Sequence, residues 1–514
     1  MTDTQRSVLL LREGDDVAVA VRPLKAGEVI AVNGSEVRLA QNVPAGHKIA
    51  LHALEEDAPV RKYGQIIGFA RGPVAPGEHV HSHNLGVKPL GLDYEYSTAV
   101  PHVEMVPAAE RRTFQGYKRP DGKVGTRNYL AIVSTVNCSA SVSRFIADRF
   151  RGDALKAFPN VDGVIAVTHK AGCGMNIQGQ DLKMLQDTLA GYARHANVAG
   201  YIVAGLGCEV NQAVDMIERT GLISLGTPQR NPTVITIQTE GGVTKTVERG
   251  IREIEALLPY ANSFQRSTQP VSELFVATNC GGSDGNSGIT ANPAVGWMTD
   301  EMVRHGGTSV LAETTETYGA EHILTRRAVS REVGEKLVAL MRWWEQYTSM
   351  HGAEIDNNPS PGNKAGGLTT IYEKSLGALA KGGSSPLVDV VDFAQPIRKR
   401  GFVFMDTPGH DPVSITGLVA GGCNVVVFTT GRGSVFGCKP APSIKVATNT
   451  PLFEHMNDDM DINAGVILDG VPVADVGRAI FEKIIAVASG ERTKSELHGI
   501  GDEEFNPWMT GAVL

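Results

Sequence analysis

The 514-residue chain has little cysteine and no long apolar run. Six cysteines are too few for a disulfide framework at this length. In a cytosolic chain they read as reduced, metal-binding or catalytic. No stretch approaches the roughly 20 apolar residues of a membrane span. The N-terminal MTDTQRSVLLLREGDD has neither the apolar core nor the small-residue cleavage site of a secretory signal. Positive charge is not in excess: the net charge of −8 argues against nucleic acid or an anionic membrane as the main partner. The phosphate loop GxxxxGK followed by Ser or Thr is missing, and no GxGxxG opens a helix after a strand, so nucleotide use is unsupported. These absences point to a cytoplasmic protein without nucleic-acid or membrane partners; a small-molecule substrate and a homo-oligomer are the further expectations.

What is present is an ordinary globular composition, 42% hydrophobic and 20% charged, long enough for about three domains. Residues 1–90 carry short alternating runs (DVAVAVRPL, EVIAV, SEVRLA, HKIALHAL, QIIGFA) between turn residues, which predicts a small all-β barrel or β-clip. Residues 91–112 lack periodicity and read as a linker. From residue 113 apolar strands alternate with helical stretches, the pattern of a parallel sheet. The polar stretch NSFQRSTQPVSE near residue 266 divides this region into 113–265 and 266–514. The predicted fold class is therefore α/β: a small N-terminal β domain, then two parallel-sheet, Rossmann-like domains. The glycine-rich segment from Asp356 to Gly383 reads as an unusually long, functional loop.

Four cysteines follow apolar runs: Cys138, Cys173, Cys208 and Cys280. The carboxyl ends of parallel strands are where ligands bind, and thiols converging there suit a soft metal or an iron–sulfur centre. His169, Cys173, Cys208 and Cys280 are the nitrogen and sulfur candidates, and Asp284 and Glu209 could add oxygen. The alternative reading is small cysteines packed under turns. Cys138 lacks an adjoining acid or histidine and is the weakest of the four. Cys423 reads as core, and Cys438 lies in a turn without a clear role. A second signal is HVHSHN, where His79, His81 and His83 recur at period two and would share one face of an extended strand. The alternative is an exposed strand end that binds nothing. The third is a set of glycine-rich turns, NCGGSDGNSGITANP, NPSPGNKAGG and TTGRGSVFG, whose amides can hold carboxylates. Ser283, Asn363, Lys364 and Arg432 sit in them. Arg432 suits bidentate carboxylate binding. Glu313 ends a strand and is the better site candidate of its cluster; Glu316 reads as a helix start.

Taken together, GHKIAL, RKYGQIIGFA, HVHSHN, GYKRPDGKVGTRN, GLGCE, CGGSDGNSGITANP, NPSPGNKAGG, TTGRG and DINAG resemble the altronate/galactarate dehydratase family of sugar-acid hydro-lyases. The resemblance covers nearly the whole chain. It implies an N-terminal SAF-type domain and loss of water from a 2,3-dihydroxy acid to give a 2-keto-3-deoxy acid. It implies iron(II), with manganese(II) as the alternative ion and an iron–sulfur cluster as the alternative centre. HVHSHN favours the altronate branch and MDINAG the galactarate branch. A third branch, sulfolactate sulfo-lyase, usually divides the small and large parts between two chains. On this reading the metal sits among His169, Cys173, Cys208 and Cys280, or at His79, His81 and His83. Arg432, Lys364, Arg127, Asn363 and Ser283 bind substrate, and Lys364, Asp284 and Glu209 are the acid/base candidates.

Overall fold

The computed structural model describes residues 7–226 and 231–511. The outer limits of the expected first and last domains, residues 1 and 514, lie outside them. The N-terminal part is built from nine short strands: β1 (Val8–Leu9), β2 (Val17–Ala20), β3 (Val29–Val32), β4 (Ser35–Arg38), β5 (Lys48–Ala50), β6 (Pro59–Lys62), β7 (Gln65–Ala70), β8 (His79–Val80) and β9 (Leu85–Gly86). They form three small antiparallel sheets, β1-β2-β5-β8, β3-β4 and β6-β7-β9. The same unit occurs twice. A bridge from Leu24 to Val43 is matched by one from Leu54 to Val74, and each unit ends in a turn with a left-handed glycine, Gly46 (φ +79°) and Gly77 (φ +82°).

Residues 91–112 cross to the C-terminal part and are pinned there by backbone bonds, such as Ser97 N to Thr325 O and Val106 N to Arg304 O. β10 (Thr113–Lys118) and β11 (Val124–Gly125) then pair. Next comes a parallel sheet of β12 (Tyr129–Ser134), β13 (Gly163–Val167), β14 (Val198–Gly205) and β15 (Val234–Thr236), in the order β13-β12-β14-β15. Every residue of β12 and β14 is buried, as continuous apolar runs covered on both faces by helices should be. β16 (Arg266–Pro270), in the stretch expected as a boundary, returns to pair with β10.

The last part is a seven-stranded sheet, entirely parallel: β17 (Phe275–Cys280), β18 (Thr308–Leu311), β19 (Leu387–Val391), β20 (Phe402–Met405), β21 (Val425–Thr430), β22 (Ser443–Ala447) and β23 (Ile462–Asn463). Its order is β19-β20-β18-β17-β21-β22-β23. The chain moves outward from β17 on one side and restarts at β21 on the other. The crevice between them is a topological switch point, where open α/β sheets bind ligands. The two parallel sheets share one apolar core that runs from Leu185 and Leu189 to Phe393, Met405 and Leu418.

Two expectations change here. The segment 356–383 is not a long loop: it folds into helices Pro361–Ala365 and Ile371–Leu379, started by Ser360 and Thr370, whose hydroxyls accept from the amides of Asn363 and Glu373. Arg127 does not bind substrate. It is buried, and its guanidinium is spent on both carboxylate oxygens of Glu496 (2.6 and 2.8 Å) and on the carbonyls of Thr126, Val487 and Glu491.

A buried ion triad docks the β domain on the C-terminal sheet. Lys48 Nζ and Lys62 Nζ lie 2.9 and 2.8 Å from the two oxygens of Glu373, and all three side chains are wholly shielded from solvent. Thr369 donates to the same carboxylate through its amide (2.9 Å) and hydroxyl (2.7 Å). Burial pushes the Glu373 carboxyl up, but the two ammonium groups outweigh it and hold it below its usual range. Removing Glu373 leaves two buried ammonium groups without their carboxylate, which costs about 3–5 kcal/mol. Glu373→Leu should therefore lower the unfolding midpoint and expose the 91–112 segment to limited proteolysis. Glu373→Leu combined with Lys48→Met and Lys62→Met should recover part of the loss. Unchanged proteolysis in the single variant would refute the docking role.

Candidate functional site

The histidines converge from two neighbouring strands. β8 ends at Val80 and residues 81–84 turn back, with Asn84 N donating to His81 O (3.0 Å) and His81 N to Asn84 Oδ1 (2.9 Å). The register pairs Lys48 with Val80 and Ile49 with His79. One step further it sets His47 opposite His81, on the face that His79 shares. His47 Nδ1 lies 2.9 Å from His79 Nε2. One ligand atom from each of His47, His79 and His81 falls within 4.8 Å of the others. Of the three histidines in HVHSHN, His79 and His81 belong to the group; the turn ends the period-two run, and His83 stands exposed, its ring 5.7 Å from that of His79. His47 was missed. Its sequence signal was the repeated turn, VPAGHKIA against VAPGEHVH, which brings both segments to the same edge.

Burial, followed by the proximity of the other imidazoles and of Lys48, pulls His79 down to about 3; burial and then Lys48 pull His81 down to about 4. Burial lowers His47 as well. Neutral imidazoles are what a metal needs. His81 Nδ1 is buried without a hydrogen-bond partner, an atom that a bound ion would satisfy. The donor set fits a divalent transition metal.

The trio rests on the switch-point loops. His47 Nε2 is 3.3 Å from Ala365 O. A Cβ on Gly285 would lie 2.0 Å from Gly46 O, so only glycine allows this approach. Lys364 adjoins Ala365. Arg432 follows β21, with its amide donating to Gly282 O (2.8 Å). Among the described residues, neither the Lys364 ammonium nor the Arg432 guanidinium has a hydrogen-bond or ion-pair partner. Asn363 donates to Ser283 O (2.9 Å) and caps its own helix through Ser360 N. Asp284 is buried, and its oxygens accept from Ser287, Thr448, Asn449 and the amide of Asn286, all at 2.9–3.1 Å. Its carboxylate organises the loop and has little left for a substrate proton.

Below the loops lies a buried polar group that sequence reasoning found only in part. Cys280 Sγ, at the end of β17, is 3.6 Å from both Glu313 Oε2 and Glu316 Oε2. Glu316, expected to start a helix, is buried in a 3-10 turn of the cluster. Lys381 pairs with Glu313 (3.0 Å) and Lys374 with Glu316 (2.7 Å). Asn279 bridges Glu313 and Asp411 at 3.3 Å each. Burial and then the charges of Glu313 and Glu316 push Asp411 up to about 8, so it holds its proton at neutral pH. Burial, then Glu313, drive the Cys280 thiol far up and keep it neutral. Cys280, Glu313 and Glu316 could in principle hold an ion, but the two lysines already neutralise those carboxylates. A cavity of about 10 Å3, lined by Cys280, Ser283, Asp284, Glu373, Lys374 and Tyr63, links this group to the docking triad.

The expected joint site of His169, Cys173, Cys208 and Cys280 does not form. Cys280 is buried in the C-terminal sheet, whereas the other three residues belong to the β12–β15 sheet. His169 spends both ring nitrogens, Nε2 on Ser134 O (3.0 Å) and Nδ1 on Ala171 N (3.1 Å). Glu209 sits on the same distant sheet. Its carboxylate accepts from Thr135 Oγ1 (2.6 Å) and from the amides of Leu206 (3.1 Å) and Gly207 (2.6 Å). Burial raises its pKa, but these bonds outweigh burial and lower it, which removes it from acid/base work at the histidines. Cys423 is core, as expected, and Cys438 is buried, with Sγ 3.4 Å from Ala441 O.

His47→Ala or His79→Ala should abolish tight ferrous-ion binding in calorimetry, whereas His83→Ala and Cys280→Ser should retain it. Because burial lowers all three imidazoles, His79 and His81 to about 3 and 4, protons should begin to compete with the ion only below the usual 6.5, and affinity should hold to lower pH than at an exposed histidine site.

Three family descriptions match successive parts of the chain: "Altronate/galactarate dehydratase SAF domain" over residues 6–88, "D-galactarate dehydratase/Altronate hydrolase, second domain" over 116–262, and "D-galactarate/Altronate dehydratase, C-terminal" over 271–513. The chain is 36% identical over 511 residues to altronate dehydratase of Bacillus subtilis (strain 168), covering 99% of this chain and 100% of that one. It is 37% identical to altronate dehydratase of Escherichia coli (strain K12), covering 94% and 95%. It is 38% identical to galactarate dehydratase (L-threo-forming) of the same organism, covering 97% and 96%.

Proposed function

The chain belongs to the altronate/galactarate dehydratase family of hydro-lyases, and from that premise we propose that it removes water from D-altronate to give a 2-keto-3-deoxy acid, at the loops beneath His47, His79 and His81. The observation that carries this reading is a neutral three-imidazole group that rests on the switch-point loops bearing Arg432 and Lys364.

The chemistry asks for three things. The C2 proton lies next to a carboxylate and is weakly acidic, so the charge that develops there must be stabilised. A ferrous ion held by the three histidines, or manganous ion in its place, supplies that stabilisation when bound. Arg432 offers a rigid, unpaired guanidinium for the substrate carboxylate. Lys364 presents Nζ to donate a proton to the departing C3 hydroxyl. Asp284, with Ser283 and Asn363, holds the loop that sets these two cations. The Lys48–Glu373–Lys62 docking places the histidines over the loop and keeps water from the polar group around Cys280.

The direct test is keto-acid formation from altronate by reduced, ferrous-loaded protein, with galactarate assayed in parallel. A higher kcat/KM on galactarate would reassign the substrate within the family, and no turnover of any hexonate or hexarate would end the dehydratase reading. Arg432→Ala removes a charge-assisted contact and should cut kcat/KM by about 10- to 150-fold, chiefly through KM. Lys364→Ala should act mainly on kcat.

A further inference from the structure

Three free cysteines remain unexplained by the site above. Cys138, Cys173 and Cys208 are all exposed and leave the carboxyl ends of β12, β13 and β14, three adjacent parallel strands. Adjacent strands lie about 4.8 Å apart, and this sheet changes direction at β12, so the loops that carry the thiols border its own switch point. Their loops are locked together. Asn137, beside Cys138, donates from its amide to Ala171 O (2.9 Å) and from its side chain to His169 O (3.2 Å). Asn211 N donates to Gly172 O (2.9 Å), and its side chain to Thr135 O (2.9 Å). A Cβ on Gly172 would lie 2.2 Å from Thr135 O, so the Cys173 loop packs backbone to backbone against the Cys138 loop. Glu209 pins the third loop to Thr135, as described.

Gln238 Nε2 donates to Cys208 Sγ (3.4 Å). Cys138 precedes the nine-residue helix Ala140–Asp148. Exposed free thiols are liabilities unless they are used, and three in one loop cluster point to a common ligand. The spacing selects its kind. One tetrahedral ion with Zn–S bonds of about 2.3 Å draws its sulfurs to within about 3.8 Å of one another. Among the described residues, these thiols do not form a group within even 4.8 Å. A cluster places a separate iron under each thiolate and accepts the wider set.

We infer that Cys138, Cys173 and Cys208 form a binding site for a [4Fe–4S] cluster on the β12–β15 sheet, separate from the histidine site, with a fourth iron open to a small oxygen ligand. It replaces the expected grouping of Cys173 and Cys208 with Cys280. Each thiol gives up its proton on binding.

The test uses full-length protein isolated anaerobically, then incubated with two equivalents of ferrous iron, two of ferric iron and four of sulfide, which together make one [4Fe–4S]2+ unit. The expected result is close to four acid-labile sulfides per chain and a broad absorption near 400 nm. Cys138→Ser, Cys173→Ser and Cys208→Ser should each lose most of the sulfide, with circular dichroism unchanged. His47→Ala and Cys280→Ser should retain it. The triple serine variant should still bind one ferrous ion at the histidines. No labile sulfide in wild-type protein, or equal sulfide in the triple variant, would overturn the inference and leave the dehydratase reading untouched. Zinc bound by the three thiols in place of a cluster would overturn it as well.

Discussion

One carboxylate holds the functional arrangement together. Glu373 lies in a dry interface and accepts two ammonium groups from the β domain and two donors from Thr369 of its own segment. Two cations on one anion cannot be equally satisfied, and burial, against the opposing pull of Glu373, lowers Lys48 to about 8. Lys48 also donates to Gly367 O (2.7 Å), so the same side chain fixes the loop that carries Lys364. His47 is its chain neighbour. The lysines therefore do more than attach a domain. They set the depth at which the imidazoles meet the switch-point loops.

Polar groups at this interface follow a division of labour. Those with every valence filled, such as Asp284 and Glu373, organise backbone. Arg432 and Lys364, whose side chains no hydrogen bond holds among the described residues, lie on the loops beneath the imidazoles, and His81 Nδ1 has no partner. Between them, the buried group of Glu313, Glu316, Lys374 and Lys381 is charge-balanced in pairs, with Asp411 and Cys280 kept protonated. A network satisfied in this way is rigid and specific, which suits a scaffold for the loops above it.

Parts of this were legible in the sequence. Continuous apolar runs such as YLAIVS and VVVFTT announced parallel strands, and short alternating runs announced the β domain. The glycine-rich turns after β17 and β21 were legible as loops, and both lie at the switch point of the sheet. The errors have physical causes. Period two in HVHSHN assumed an extended strand, but Asn84 closes a turn with His81 and ends the run. The segment 356–383 looked like loop because glycine and proline dominate its composition, yet Ser360 and Thr370 cap two helices within it. Arg127, Glu209 and His169 had the chemistry of site residues. Whether such a group is free or spent depends on partners as distant in sequence as Glu496 is from Arg127.

Local pattern by itself determined the order of strands and helices, the class of sheet and the small set of residues able to do acid, base or metal chemistry. These depend on periodicity and side-chain type, which a linear chain carries. Only the tertiary structure decided which of those residues meet. Strand order separated Cys280 from the other three cysteines, and antiparallel register between β5 and β8 brought His47 to His81. Neither follows from spacing along the chain, because pairing across a sheet joins residues that the sequence keeps tens of positions apart.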